Sequence, residues 1–539
     1  MTETADFFNG KSLFITGATG FLGKVLLEKL LWQLPQVGRI VLLVRARSAD
    51  DPEADVRLRV KKAIFNSPIF DRLRARHGEQ FECLVHDKVK VVAGDLSCPD
   101  LGLAEHSLQM LGSDLDFIIN LAARVSFDER FDHAINSNTL GPCNLLTFAK
   151  RFRNPILLHV STAYVSGRRT GSIPEHVLEP DVSAFELMGV TSSEPLHIER
   201  EREIAQRLAQ SVESESRTAA ARAEFRRAAL VQVSPNRVAN AARLDDLAEK
   251  KRQRWVRNVL SQEGLSRARR FGWIDTYTFT KALGEQFLVK SNNGVPVIIL
   301  RPSIIESTFC QPEPGWIEGF RMTSPILFGY GRGILQDFPA KPEGIIDVIP
   351  ADFVISALLA SLTTAGDSKN PKVFQVASGP ENPLRWDKLI GYTLEYFRQS
   401  PLVTDSGLIV PQPWKYQYPS LNKFHTSVSR RRSKVRIALA LCEHLDFWSR
   451  AARLSQKLAV HQIHLKRLEY IARLYADYTR LPVRFETDNT RQLFRSLQSA
   501  DQRDFFFDPT VIEWPKYIRE IHLPGVRRHV VDRPREPFG

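Results

Sequence analysis

The sequence predicts an α/β protein. It expects a doubly wound parallel sheet with a helical insertion and a smaller, mainly helical C-terminal domain. Three observations carry this. Short, continuous apolar runs alternate with helical runs through the first half, the pattern of parallel strands covered on both faces. A glycine-rich turn joins the first strand to the first helix. The composition shifts to Ala, Arg and Glu over residues 195–270, and to basic helical sequence past about residue 390.

The elements follow in order. Ser12–Thr16 reads as the first strand, Leu22–Leu34 as an apolar helix and Arg39–Val44 as a second strand. Lys88–Ala93 and Phe117–Leu121 are the third and fourth, Asn138–Arg151 a helix, and Ile156–Ser161 the fifth strand. Residues 195–270 hold one glycine, Gly264, and two prolines, Pro195 and Pro235, which predicts two or three inserted charged helices. The sheet pattern resumes with a helix over Thr276–Val289 and a strand over Val295–Leu300. Further on, Leu458, Leu465, Leu468, Ala472 and Tyr475 share one helical face, predicting packing against the main domain. Pro401–Ser420 holds four prolines and reads as a linker or surface loop. The expected domains are residues 1–390, including the insertion at about 195–270, and residues 391–539.

Composition narrows the function classes. The chain has 539 residues, 43% hydrophobic and 25% charged, which excludes pervasive disorder and a disulfide miniprotein. Its five cysteines are scattered, with no CxxC pair, so a reducing cytosol fits better than a disulfide framework or zinc ribbon. Met1–Lys11 is polar and acidic and does not read as a signal peptide. The apolar stretch Phe353–Gly366 falls short of the ~18 residues that span a bilayer. A cytoplasmic protein, peripheral to a membrane at most, is expected. The net charge of +13 is uneven: residues 195–270 hold 17 Lys and Arg against 10 Asp and Glu, and residues 391–539 hold 25 against 15. Those segments are either anion-contact surfaces or solvated helical faces. No aromatic-interleaved basic motif points to nucleic acid. Ser429–Lys434 (SRRRSK) precedes the apolar Val435–Leu441, which suits an anionic membrane surface or a buried helix with a basic cap. His461 and His464 form H-x-x-H without a surrounding acidic or cysteine partner pattern, so no metal site is expected.

Thr16-Gly17-Ala18-Thr19-Gly20-Phe21-Leu22-Gly23 reads G-x-x-G-x-x-G between strand and helix. Glycines there permit the tight turn and let backbone approach a pyrophosphate at the helix N-terminus. NAD-binding versions place an acid at the end of the second strand; this chain has Arg45 and Arg47. A guanidinium at Arg45 suits a 2′-phosphate, so NADPH is expected; Arg47 either assists or is solvated. Asp95, in Gly94-Asp95-Leu96, either accepts from the adenine amino group or shapes a turn.

Tyr277-Thr-Phe-Thr-Lys281 is Y-x-x-x-K, and the i, i+4 spacing puts both side chains on one helix face. A nearby ammonium is expected to lower the tyrosine pKa and suit proton transfer to a developing alkoxide. Lys281 also suits orienting a nicotinamide ribose. A hydroxyl partner is expected among Ser161, Thr162 and Ser166; Thr162 is chosen as the second donor to the substrate oxygen, with Tyr164 packing. Asn138 either holds a water that relays protons to Lys281 or positions its helix.

Together these motifs resemble the extended short-chain dehydrogenase/reductases, whose fold is Rossmann-type. Within them the chain is similar to the alcohol-forming fatty acyl-CoA reductases, with an insertion like that of bacterial members. The matching stretches are TGATGFLG (16–23), VSTAYVSG (160–167), TYTFTKALGE (276–285), LRPSIIE (300–306), EPGWIEG (313–319), IDVIPADFV (346–354) and residues 491–518 near the end. The resemblance implies Thr162, Tyr277 and Lys281 as the catalytic set, with Asn138 beside them. It implies cofactor contacts from Thr16, Gly17, Thr19, Gly20, Phe21, Leu22 and Gly23. It further implies contacts from Arg45, Arg47, Asp95, Leu96, Ala122, Pro302 and Ile304. It implies NADPH as cofactor, and long-chain fatty acyl-CoA and fatty aldehyde as substrates. The basic insertion and C-terminal domain would then take the CoA phosphates. Lipid contacts are expected around Gly315–Gly333 and in the C-terminal domain. The alternatives are a reductase that stops at the aldehyde, a sugar-nucleotide epimerase or dehydratase of the same superfamily, and a non-enzymatic cofactor sensor.

Overall fold

The computed structural model describes the chain except residues 1–2, 49, 193, 231–240, 293, 321, 336, 367–369, 404–408, 411–415, 444–448 and 533–539, and except the side chains of 443, 449–453, 457, 467 and 474. Pro235 and part of the Pro401–Ser420 segment therefore lie outside the described residues.

The strands are β1 (Leu13–Thr16), β2 (Ile40–Val44), β3 (Val89–Ala93), β4 (Phe117–Asn120), β5 (Ile156–Val160) and β6 (Gly171–Ile173). They continue with β7 (Val297–Pro302), β8 (Ile304–Glu306), β9 (Val348–Pro350), β10 (Lys372–Val376) and β11 (Val483–Phe485). Seven form one sheet in the order β10-β7-β5-β4-β1-β2-β3, with every pairing parallel. Every residue of β1, β2, β4 and β7 is buried, which is why these strands read as unbroken apolar runs. The order of strand addition reverses at β1, with β2 and β3 added on one side and β4 on the other, where Thr16 pairs with Asn120. At such a switch point the strand ends open a crevice.

Three departures matter. Helices at Pro52–Val60, Asp71–His77 and Phe81–Lys88 lie between β2 and β3, where no element was expected. Their buried Val56, Val60, Leu73 and Phe81 are spread thinly among charges, so the pattern is faint. The helix expected over Asn138–Arg151 starts as a π-helical turn, Ile135–Leu140, and continues as Gly141–Ala149. The expected domain boundary at 390/391 falls inside the helix Trp386–Gln399, which buries Leu389, Ile390, Thr393 and Leu394. The chain is not divided there.

Among the described residues the insertion forms three helices, Ile198–Ser216, Ala219–Leu230 and Ala241–Arg270. Much of its charge is spent internally. Arg252 pairs with Glu213 and Glu249, Arg267 with Glu194 and Glu201, and Arg226 with Asp245. Past Gln399, helices Leu421–Glu443 and Ser449–Tyr475 pack on one another. Leu465, Leu468 and Ala472 of the expected face are buried in the main core, and Leu458 and Tyr475 lie against it. The later segment returns to the first: β11 pairs with β6, and the Thr4 N–H donates to Asp501. Phe353–Gly366 is largely taken up by the helix Ala351–Leu362, all twelve residues of which are buried. Among the described residues, no helix is long and apolar enough to cross a membrane.

Candidate active site

The glycine loop follows β1 at the switch point. Gly17 has φ +77°, and a Cβ there would lie 2.6 Å from the Ala122 nitrogen. A Cβ on Gly23 would lie 2.4 Å from the Gly17 oxygen, so a hydrogen is what lets the helix Phe21–Gln33 pack this close to the turn. That helix begins at Gly20 with no side-chain cap, leaving its first N–H groups for an anion. Phe21 stacks on Trp316 at 5.3 Å. Thr16 is fully buried behind the loop, donating to Asn120 Oδ1 at 2.7 Å.

Arg45 and Arg47 end β2 and are exposed. Arg45 faces Asp95 at 3.9 Å. Asp95 also shapes its turn, accepting from the Ser97 N–H at 2.9 Å and its hydroxyl at 2.7 Å. Leu96 is buried, and its carbonyl is held by Asn144. Arg59, which the sequence reading missed, donates to the Arg45 carbonyl. Burial, then the neighbouring Arg47 and Arg45, lower its pKa, while Asp55 opposes them.

Tyr277 and Lys281 lie on the helix Thr276–Ser291. Asp275 caps it, accepting from the Thr278 N–H at 2.8 Å in a reciprocal capping box. Thr162, at the end of β5, hydrogen bonds the Tyr277 phenol and accepts from the Tyr164 N–H at 3.3 Å. Of the other hydroxyl candidates, Ser161 lines the same pocket, whereas Ser166 lines a separate cavity with Arg169 and Glu175.

The electrostatics differ from expectation. Lys281 does not set the phenol's pKa. Burial raises it, the Asp275 carboxylate adds to that, and the bond with Thr162 opposes both. Lys281 Nζ instead donates to the Val160 carbonyl at 2.6 Å and lies 3.2 Å from His159 Nε2. Burial lowers its own pKa to about 7. Asn138 also differs from the relay reading. Its carboxamide accepts from the Arg124 N–H at 2.8 Å and donates to the Arg124 carbonyl and to Thr280 Oγ1. It therefore pins the segment after β4 to the helix that carries Tyr277 and Lys281.

A narrow, mostly apolar pocket of about 70 Å³ opens beside Tyr277 and Thr162. Pro302, Ile304, Met322 and Ile326 line it, together with Tyr475 and Tyr478. Phe127 meets Tyr277, Tyr475 and Tyr478, with ring centroids 6.2, 5.8 and 5.4 Å away. The Tyr478 hydroxyl donates to Asp275 Oδ2 at 2.5 Å, so the C-terminal region touches the cap of the helix that carries Tyr277 and Lys281. Sequence reasoning missed Phe127, Asp275 and Tyr478. Only Asp275 left a local signal, an N-cap residue just before the helix.

Comparison with known proteins gives the family. Two family descriptions, both "Male sterility protein", match residues 15–358, an NAD-binding domain, and residues 445–533. A chloroplastic fatty acyl-CoA reductase 2 from Arabidopsis thaliana is 33% identical, over 97% of this chain and 79% of that one. An alcohol-forming fatty acyl-CoA reductase from Simmondsia chinensis is 30% identical, over 99% of each. The reductase domain of a non-ribosomal peptide synthetase from Mycobacterium tuberculosis shares the fold, with a TM-score of 0.53 at 18% identity, covering 97% of this chain and 94% of that one.

Proposed function

The chain belongs to the fatty acyl-CoA reductase family of male sterility proteins and is an oxidoreductase; from that premise we propose that it reduces a long-chain fatty acyl-CoA to the alcohol and CoA, through the aldehyde, with two NADPH. The observation that supports this most is one pocket. Thr162 and Tyr277 line an apolar cavity there, and Lys281, one helical turn on from Tyr277, is buried against the Val160 carbonyl.

The residues fit a dinucleotide. The Gly17 turn and the uncapped helix N-terminus suit a pyrophosphate, and Arg45, Arg47 and Arg59 suit a 2′-phosphate. Lys281 is placed to meet the nicotinamide ribose. When bound, the cofactor supplies hydride to the carbonyl carbon.

Thr162 and Tyr277 donate hydrogen bonds to the carbonyl oxygen and hold the charge that builds on it. After the first reduction, the tetrahedral oxyanion collapses, the C–S bond breaks, and the CoA thiolate takes a proton from water. The aldehyde keeps the same two donors. In the second reduction Tyr277 gives its proton to the alkoxide. That step needs the protonated phenol, which burial and Asp275 favour. The apolar wall of Ile304, Met322 and Ile326 takes the start of the acyl chain and keeps water from the carbonyl.

Replacing Tyr277 with Phe should lower acyl-CoA reduction by about 10²–10⁴-fold while cofactor binding, read by fluorescence, persists. Full activity in that variant would overturn the assignment.

Peripheral contact with an anionic membrane belongs to the same proposal, since long-chain substrates partition into bilayers. The helix Leu421–Glu443 buries Phe424, Val428 and Val435. Its outward stripe runs Lys423, Arg430, Lys434, Ile437 and Leu441, all exposed. Cations followed by aliphatics on one exposed face suit a lipid interface.

A further inference from the structure

A buried polar chain crosses the ends of the central strands. Thr16 at the end of β1 donates to Asn120 Oδ1 of β4 at 2.7 Å. Asn120 Nδ2 lies 2.9 Å from His159 Nδ1 of β5. His159 Nε2 lies 3.2 Å from Lys281 Nζ on the catalytic helix. Asn120 and His159 are fully buried and Lys281 nearly so.

Hydrogen-bond counting fixes the direction of this chain. The Ala122 backbone N–H can only donate, and it points at Asn120 Oδ1 at 3.2 Å. That oxygen is therefore the acceptor end of the carboxamide, and the NH₂ end faces His159. His159 Nδ1 must then accept. A neutral imidazole carries one proton, so it lies on Nε2, which faces Lys281. An ammonium has three donors and no acceptor, so it cannot receive that N–H. A neutral amine can.

We infer that Asn120 fixes His159 as the Nε2–H tautomer, and that His159 in turn positions Lys281 as a neutral amine in the cofactor-free protein. Asn120 and His159 are positioning residues; neither lines the pocket described above. The electrostatics agree. Burial, the largest cause, holds the His159 imidazole well below its usual range, and burial brings Lys281 to about 7. The other ionisable groups near the amine are Tyr277 and Glu285 on its own helix, and Arg301 of β7. Glu285 favours the ammonium but is itself paired with Arg301 at 2.6 Å. Lys281 is thereby poised to take and return a proton near neutral pH, beside the residue that must be reprotonated after each alcohol is made. This last consequence rests on the reductase reading; the tautomer does not.

Asn120→Asp tests it. The carboxylate keeps the bonds from Thr16 and Ala122 but can no longer donate to His159. The imidazole proton should move to Nδ1, freeing Nε2 to accept from an ammonium. Nitrogen-detected NMR of the histidines should show His159 as Nε2–H in the natural chain and Nδ1–H in the variant. With Lys281 near 7, kcat of the natural chain should inflect near pH 7, and that of the variant at least one unit higher. Melting and NADPH-binding fluorescence check that the variant is folded. An Nδ1–H tautomer or an imidazolium in the natural chain would overturn the inference. So would a folded Asn120→Asp protein with an unmoved His159 proton. An expected NMR result in a protein with no reductase activity would count against the proposed function alone.

Discussion

At the scale of residues, Lys281 makes the sharpest statement. Its pKa is about 7 in the folded chain, against 10.5 for a free lysine, with burial as the main cause. A depressed pKa contributes stability that is fully present above the unfolded value and is lost as pH falls through the folded one. Between pH 7 and 10.5 the unfolded chain binds the extra proton, so raising the pH favours the folded state. The stability of the natural chain relative to Lys281→Met should therefore rise across that window, by at most about 1.4 kcal/mol per pH unit. Denaturant melts at pH 7, 8.5 and 10 measure it, and a flat difference would mean that the amine is not buried in the folded chain. The motif residues Tyr277, Lys281 and Thr162 were legible because their chemistry is tied to local spacing. Asn120 and His159 were not, because each sits in an apolar strand and gains meaning only from its neighbour across the sheet. For the same reason the sequence suggested an ammonium acting on Tyr277, where the fold ties Lys281 to β5 instead.

Among elements, β1 to β5 and β7 were read to within a residue or two, since largely buried strands leave continuous apolar runs. The seventh strand, β10, and the β6–β11 pair were not read; the latter joins three-residue segments some 300 positions apart. The helices between β2 and β3 were also missed, and with them Arg59. Pro52–Val60 brings that guanidinium to the end of β2, beside Arg45 and Arg47. Removing one member of a charge-assisted phosphate cluster costs about 1.5–3 kcal/mol. Arg59→Ala should thus raise KM for NADPH by about tenfold or more and leave KM for NADH nearly unchanged. Equal effects on both cofactors would assign Arg59 to the fold rather than to the 2′-phosphate. The helix Leu421–Glu443 carries its own prediction. The protein should sediment with vesicles containing phosphatidylglycerol and not with pure phosphatidylcholine, and charge reversal at Lys423, Arg430 and Lys434 should abolish it. Equal binding to neutral vesicles would contradict the charge argument.

Across the whole molecule, charge was read less well than fold class. The basic excess of the insertion suggested an anion surface, yet Arg226, Arg252 and Arg267 hold its helices together and to their surroundings. The C-terminal region reaches into the first part of the chain. It supplies β11, and it supplies Tyr475 and Tyr478 to the wall of the catalytic pocket. A mostly apolar pocket that holds Thr162 and Tyr277 and is closed by Tyr475 and Tyr478 is the basis for the claim that an acyl thioester is carried through to the alcohol. Purified protein given NADPH and a long-chain acyl-CoA measures that claim most directly, as NADPH oxidised per CoA released. The account predicts two, with fatty alcohol as the product; one per CoA with free aldehyde accumulating would contradict it.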